Sequence, residues 1–464
     1  MDSFENDLFN NQLNGGNNKK KIGILMQKSI VISLITMFGN AALLLSSKQI
    51  LKFIAEDQQV AYVADQYILV FLPTILFYNL AAILSKYIQS QNIVYPIMYM
   101  NFVAIILNAA LHAIFIYGFK MGVKGAALAV DFSSFFLVLF LIGYIYYKKI
   151  YVDSWNGWSI ECLYEWKLYL KLAIPGLFSI LIEWSNFEIG SFAASSLPKI
   201  ELAIMAIAQQ VLFIFFQIPF GISIAANIRI GNFLGSNQPD LAKNSMKITY
   251  FVTSLAVLII SVIMLSFSSI LPYAFSSEPD VVEKASSLLK FVSLIHILDG
   301  FQGTNSGILR ACGFQLYSSI FLLIGFYFIG SPIGLSLMLT TELKIFGFFS
   351  GIFVGCSVLI ILQFFFIFRV DWTELARKAG ELANDDSNDS QFSSSNPNYE
   401  ISNDIESINK TDLDKNNITS FQFDQTTTEE LTRSSIREQI LKRLFIFIIF
   451  LIFFIVAIIL HEIL

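Results

Sequence analysis

WKLYLKLAIPGLFSILIEWSNFEIGSFAASSL, residues 166–197, and the apolar segment that follows it from Glu201 and closes with PFGISIAANIRIGNFLG, residues 219–235, decide how this chain is read. Each is long enough to cross a bilayer. Yet the first carries Glu183 and Glu188 within it, and the second opens on Glu201. A charged side chain at the centre of a bilayer costs at least about 2.5–3.5 kcal/mol, so such residues face a wet cavity on an ion or substrate path, or pair with a basic side chain on a neighbouring helix. The first reading makes Glu183 the leading candidate, and the second makes it a structural acid.

Outward from this pair the pattern repeats. The chain has 464 residues, 55% hydrophobic and 14% charged, which excludes an ordinary soluble domain. Apolar runs predict eleven spans, at 24–46, 67–87, 95–119, 123–147, 170–194, 203–224, 249–271, 289–309, 317–339, 345–368 and 444–460. The expected class is therefore an all-α polytopic membrane protein. Alternate loops differ in charge. One set carries Lys19 to Lys21, Lys86, Lys148, Lys149, Arg229, Arg310 and Arg369, and the other chiefly Lys48, Lys120, Lys199, Lys284 and Lys344. The richer set is expected in the cytoplasm, together with the N-terminus. The polar start, rich in Asn, shows no cleavable signal peptide. Cys162, Cys312 and Cys356 have no metal-ligand spacing and read as small packing residues.

An internal repeat is visible at an offset of about 220 residues: QILKFIAEDQQV from Gln49 against SILPYAFSSEPDVV from Ser269, SQNIVYP against CGFQLYS, and MGVKGAAL against KIFGFFSG. Parallel repeats of this kind predict two pseudo-symmetric helical lobes around a central cavity. The second copy is preceded by the acidic helix pair, whereas the first is preceded only by a short polar stretch. The N-lobe therefore reads as truncated by two helices and the C-lobe as complete; a start lying further upstream or a genuinely reduced lobe would account for this. The expected divisions are a polar tail (1–22), a four-helix N-lobe (23–150), a six-helix C-lobe (151–372), a disordered acidic cytoplasmic linker (373–441) and a C-terminal membrane helix (442–464). The last segment spans, as an extra helix, or anchors at the interface. Sequons at Asn388, Asn409 and Asn417 should stay unmodified if the linker is cytoplasmic.

Five ordered stretches carry a resemblance: KYIQSQNIVYP (86–96), WNGWSIECL (155–163), LAIPG before EWSNFE, the PFGISIAANIRIGNFLG run, and LDGFQGTNSGILRACGFQ (298–315). Together they resemble the MATE (multidrug and toxin extrusion) transporters, especially the eukaryotic branch. The resemblance implies a secondary antiporter that exports organic cations or amphipathic compounds in exchange for protons, with Na+ as the other candidate ion. It implies a monomer in the plasma membrane or a vacuolar or endosomal membrane, with the lipid bilayer as surroundings and no nucleic acid. A lipid-linked flippase of the wider superfamily and a non-transporting remnant are the alternatives. A flippase cavity would carry basic residues for a phosphate head, whereas the intramembrane charges here are acids.

The candidate substrate and proton residues are Glu183, Asp299, His296, Glu188, Glu201 and Gln209, with Gln210 beside the last. Glu183 lies about 18 Å along its helix from Lys171, and Asp299 about 16 Å from Arg310, so both fall near mid-membrane. No basic side chain stands beside either. His296, three residues before Asp299, could relay a proton or simply bond a carbonyl. Glu188 points about 140° away from Glu183. Glu201 is a helix-start acid suited to the dipole, and the resemblance also gives Glu188 and Glu201 places where cation exporters keep acids. Asp131, in the fourth span, faces the N-lobe cavity or pairs with a lysine. Gly330, Pro332 and Gly334 shape a bend where helices touch. No catalytic constellation, cofactor motif or metal-ligand spacing is present in the sequence, so the chain reads as no enzyme and no ATP-driven pump.

Overall fold

The computed structural model describes residues 19–47, 58–155, 157–164 and 166–384. In hydrocarbon every backbone N–H and C=O must be satisfied inside its own segment, so the apolar runs fold as helices. They are α1 (Lys19–Leu45), α2 (Gln58–Ser90), α3 (Tyr95–His112, running on as a π-helical Ala113–Gly118) and α4 (Gly122–Tyr147). After a linker with short 3-10 turns at Ile150–Asp153 and Ile160–Leu163 come α5 (Trp166–Ala194), α6 (Lys199–Gly235), α7 (Pro239–Phe267) and α8 (Pro279–Ala311). The chain continues through α9 (Gln315–Leu322), a π-helical Leu323–Gly330, α10 (Ser331–Thr340), α11 (Ile345–Phe368) and α12 (Trp372–Asn384).

Among the described residues nine helices are long and apolar enough to cross a membrane, the α9–α10 run counting as one. The expected span at 289–309 is the exception. It lies within α8, which is long enough but carries the polar run HILDGFQGTNS at 296–306. Most of α8 is buried in protein, which is where polar side chains can reside at membrane depth.

Two lobes form. In the N-lobe α2 packs on α4 and α1, and α3 packs on α4. In the C-lobe α8 is the axis, packed against α6, α7 and α11, while α5 lies over α9 and α10 closes on α11. Phe348, Phe349, Met205, Leu212 and Leu289 fill its core. Small residues set how closely these helices approach. Gly300, Gly303 and Gly307 of α8 lie against Pro219, Phe216 and Ser223 of α6. Gly347, Gly351 and Gly355 of α11 lie against α10 and the π-helical segment at Leu337, Gly334 and Gly330. The expected touching point at Gly330 and Gly334 is thus a helix-to-helix contact. On α3, the counterpart of α9, Tyr95, Tyr99, Phe102 and Ile105 are exposed, where α9 has α5 across it.

The C-lobe does not give way to linker at residue 373. Asp371 caps α12 by accepting from the N–H groups of Thr373 and Glu374, and Trp372, Ala376 and Ala379 are buried against the ends of α6 and α7. The outward face carries Arg377 between Glu374 and Glu381, at 2.7 Å from each. The hydrogen bond from Arg377, with Lys378 adding to it, holds the exposed Glu374 carboxyl down to about 2. This pairing is complete above the ordinary carboxylate range and fades only as pH falls toward 2. The remaining linker, the sequons, the span at 444–460 and the repeat unit beginning at Gln49 lie wholly or largely outside the described residues.

The lobes meet at the end rich in lysine and arginine. There the Asn232 amide donates to Asn92 Oδ1 at 2.8 Å, and the hydroxyls of Ser29 and Tyr169 lie 3.3 Å apart.

Candidate functional site

The candidate acids converge on the C-lobe. Glu183 sits two turns beyond Pro175 of α5, and Asp299 immediately precedes Gly300 of α8, where the absence of a side chain lets α6 and α7 close in. Asp299 feels the charge of Glu183, and Cys356 of α11 feels both, so α5, α8 and α11 bring their groups into one electrostatic neighbourhood. Asp299 is 8% exposed, whereas Glu183 is half-buried, giving the pair one sheltered and one more open member. The expectation that neither acid has a basic neighbour needs correcting. Arg310 lies within electrostatic reach of Glu183, and its guanidinium also donates to Ser223 Oγ at 3.2 Å. A long side chain reaches back along the lobe, which helix-rise arithmetic between α-carbons does not capture.

Below Asp299, α8 presents a buried polar stripe that composition alone did not single out. Gln302 and Gln363 direct their amides toward Ser306 Oγ at 3.4 and 3.5 Å, and Tyr250 OH donates to Asn305 Oδ1 at 2.9 Å. Among the described residues Gln302 Oε1, Gln363 Oε1 and Asn305 Nδ2 have no hydrogen-bond partner, and neither has either ring nitrogen of the fully buried His296. His296 thus makes no hydrogen bond to Asp299 or to a carbonyl. Each unpartnered buried polar group costs about 1–3 kcal/mol, a concentration of cost expected where a site needs polar groups held ready. The i, i+3, i+7 spacing of Asp299, Gln302 and Ser306 was the available signal.

The other candidates lie elsewhere. Glu188 is exposed, on the α5 face that also shows Phe178, Leu181 and Phe192. Gln209 joins α6 to α5, pairing with Ser191 Oγ at 3.1 Å and donating to the Phe187 carbonyl at 3.2 Å, while Gln210 is exposed. Glu201 is buried at the far end of the lobe, 3.3 Å from Lys344 and 4.0 Å from Lys284. It ties the starts of α6, α8 and α11 together. Both lysines are about half-exposed, so solvent screens the pairing; Glu201→Gln should cost only about 0.5–1 kcal/mol in thermal unfolding and leave transport intact. Asp131 is buried and accepts a hydrogen bond from Thr74 Oγ1 on α2, so this acid pairs with a hydroxyl rather than with a lysine. Tethers of the same hydroxyl kind hold α5 to the α9–α10 run: Ser179 to Ser319 at 2.7 Å, and Ser185 to Tyr327 at 2.6 Å.

The MatE family model matches residues 10–114 and 175–335. Multidrug and toxin extrusion protein 1 of Xenopus tropicalis is 33% identical over 423 residues, covering 91% of this chain and 73% of that protein. The chain belongs to the MATE family of transporters. Multidrug and toxin extrusion protein 2 of Mus musculus is 32% identical over 373 residues, and the chain spans 65% of that relative's length. The crystal structure of the eukaryotic MATE transporter AtDTX14 superposes with a TM-score of 0.79 at 24% identity, covering 82% of this chain and 86% of that one. The two-lobe, all-helical arrangement is thus the MATE fold, and the chain is a multi-pass membrane protein. Within it, two of the motifs that carried the resemblance are the two faces of one contact: PFGIS on α6 and DGFQGTNSG on α8 pack together through Gly300, Gly303 and Gly307.

Proposed function

We propose that this MATE chain exports organic cations or other amphipathic small molecules in exchange for protons, and that Glu183 and Asp299 are the groups on which proton and cation compete. The reading rests on one observation, that these two acids on α5 and α8 lie within electrostatic reach of each other in a lobe otherwise packed with apolar side chains. A carboxyl there binds either a proton or a cation, because leaving the charge uncompensated is costly. The acids also favour this reading over a flippase, whose lipid phosphate asks for basic residues. The lysine and arginine asymmetry supports a cytoplasmic N-terminus and a basic end that faces the cytoplasm.

The test is uptake of a fluorescent organic cation into proteoliposomes holding the full chain, with an outward-directed proton gradient. Accumulation that collapses when a protonophore dissipates the gradient is the expected result. Accumulation that follows an imposed Na+ gradient instead would replace the proton by sodium. No gradient-dependent accumulation would reject antiport by this chain.

A further inference from the structure

At the basic end of the N-lobe, α1, α2, α4 and the linker enclose a cavity of about 310 Å3. Its walls are apolar and aromatic: Met26, Tyr87, Ile142, Tyr146, Tyr151 and Trp155 among them. The size falls at the lower end of small-ligand sites. The cavity is built rather than incidental. Gln27 of α1 fastens the linker by donating to the Gly157 carbonyl at 2.7 Å and accepting from the Ser159 N–H at 2.9 Å. Tyr87 OH bonds Ser154, and Gly23 leaves room for the Ser154 carbonyl to press directly on α1. The corresponding seam of the C-lobe, between α7 and α11, is filled by the rings of Tyr250, Phe364 and Phe368.

The rim says what would enter. The turn that leaves α4 carries Lys148 and Lys149, and the tyrosines on either side of it in the sequence, Tyr146 and Tyr151, stack with ring centroids 5.4 Å apart. Lys148 lies over the Tyr147 ring, and Trp155 meets Trp158 edge-on. A band of Tyr and Trp marks the headgroup level of a membrane, and lysines there attract anionic lipid. From Tyr146 to Trp155 the sequence holds two lysines and one acid, Asp153. Among the described residues no carboxylate lines the cavity, so an organic cation would gain no counter-charge from its walls, and the turn between the lining residues Tyr146 and Tyr151 carries two lysines. A water-soluble anion would find apolar walls. We propose that this cavity holds an acyl chain of an anionic phospholipid, with its phosphate at the Lys148–Lys149 turn.

The experiment uses the full chain in nanodiscs containing phosphatidylglycerol or phosphatidylcholine with a photoactivatable diazirine on one acyl chain, followed by mapping of the labelled peptides. Phosphatidylglycerol should label the segment 142–155 about fivefold more than phosphatidylcholine, since each lysine near the surface favours an anionic headgroup. Ile145→Trp, which fills the cavity, should abolish labelling of that segment. Lys148→Gln with Lys149→Gln, two solvent-facing changes that leave the packing alone, should bring the ratio between the two lipids toward one. Equal labelling by both lipids in the unaltered chain would overturn the proposal, as would labelling that survives Ile145→Trp. Displacement of the label by a tetraalkylammonium ion would overturn it too, in favour of a cation vestibule.

Discussion

Glu183→Gln and Asp299→Asn should each reduce proton-driven exchange at least about tenfold, to near background, while leaving expression and thermal stability close to those of the unaltered chain. The amide keeps the size of the side chain and removes its ability to titrate. Folding should survive because neutralising a carboxyl at membrane depth removes a desolvation penalty, and the neighbouring groups on α5, α8 and α11 are held by their own helices. The two variants should differ in one respect. Arg310 senses Glu183, so Glu183→Gln leaves an arginine with one fewer negative neighbour, and its stability should fall slightly more than that of Asp299→Asn. Gradient-driven transport at the unaltered rate in both variants would reduce the pair to structural acids. Asp131, which is buried on α4 of the N-lobe, would be the next residue to test.

The second large effect concerns packing. Gly351→Leu should prevent recovery of a folded, monodisperse protein, because a Cβ at Gly351 would run into the backbone of Gly334 on α10 and the carbonyl of Gly330. Extra methylenes in a well-packed interior cost about 1–3 kcal/mol even when side chains can move aside, and a backbone cannot do so. Gly143→Leu on α4 is the control: nothing lies within 4 Å of the position its Cβ would take, so size-exclusion behaviour should be unchanged. A normal elution profile and melting temperature for Gly351→Leu would show that α10 and α11 are free to separate.

Much of this architecture is written in the hydropathy of the chain, since a span must be both long and apolar, and the acids within spans are conspicuous for the same reason. What was not legible has physical causes. The interval Trp372 to Asn384 looks like linker by composition, yet Trp372, Leu375, Ala376 and Ala379 recur at helical spacing, and that narrow stripe is what docks on α6 and α7. The reach of Arg310 toward Glu183 depends on the direction of a long side chain, and the pairing of Glu201 with Lys344 on how a loop returns; neither direction is encoded in residue spacing. Conversely, the glycines of the α8 motif, which first served as markers of kinship, are the places where α6 and α7 come close.

The polarity of α8 also bears on how the protein is made. A segment carrying His296, Asp299, Gln302, Thr304, Asn305, Ser306 and Arg310 is a poor substrate for the translocon, where an acid or an arginine at a helix centre disfavours insertion by about 2.5–3.5 kcal/mol. Its neighbour α7 has a mean hydropathy of 2.5 over its best window and can enter the bilayer alone. During synthesis α8 should therefore depend on α6 and α7, already emerged from the ribosome and later buried against it, for its place in the membrane. Substitutions that weaken the Gly300–Gly303–Gly307 face would then be felt first as failed biogenesis, with α8 left in the lumen or cytosol, before any assay of transport could register them.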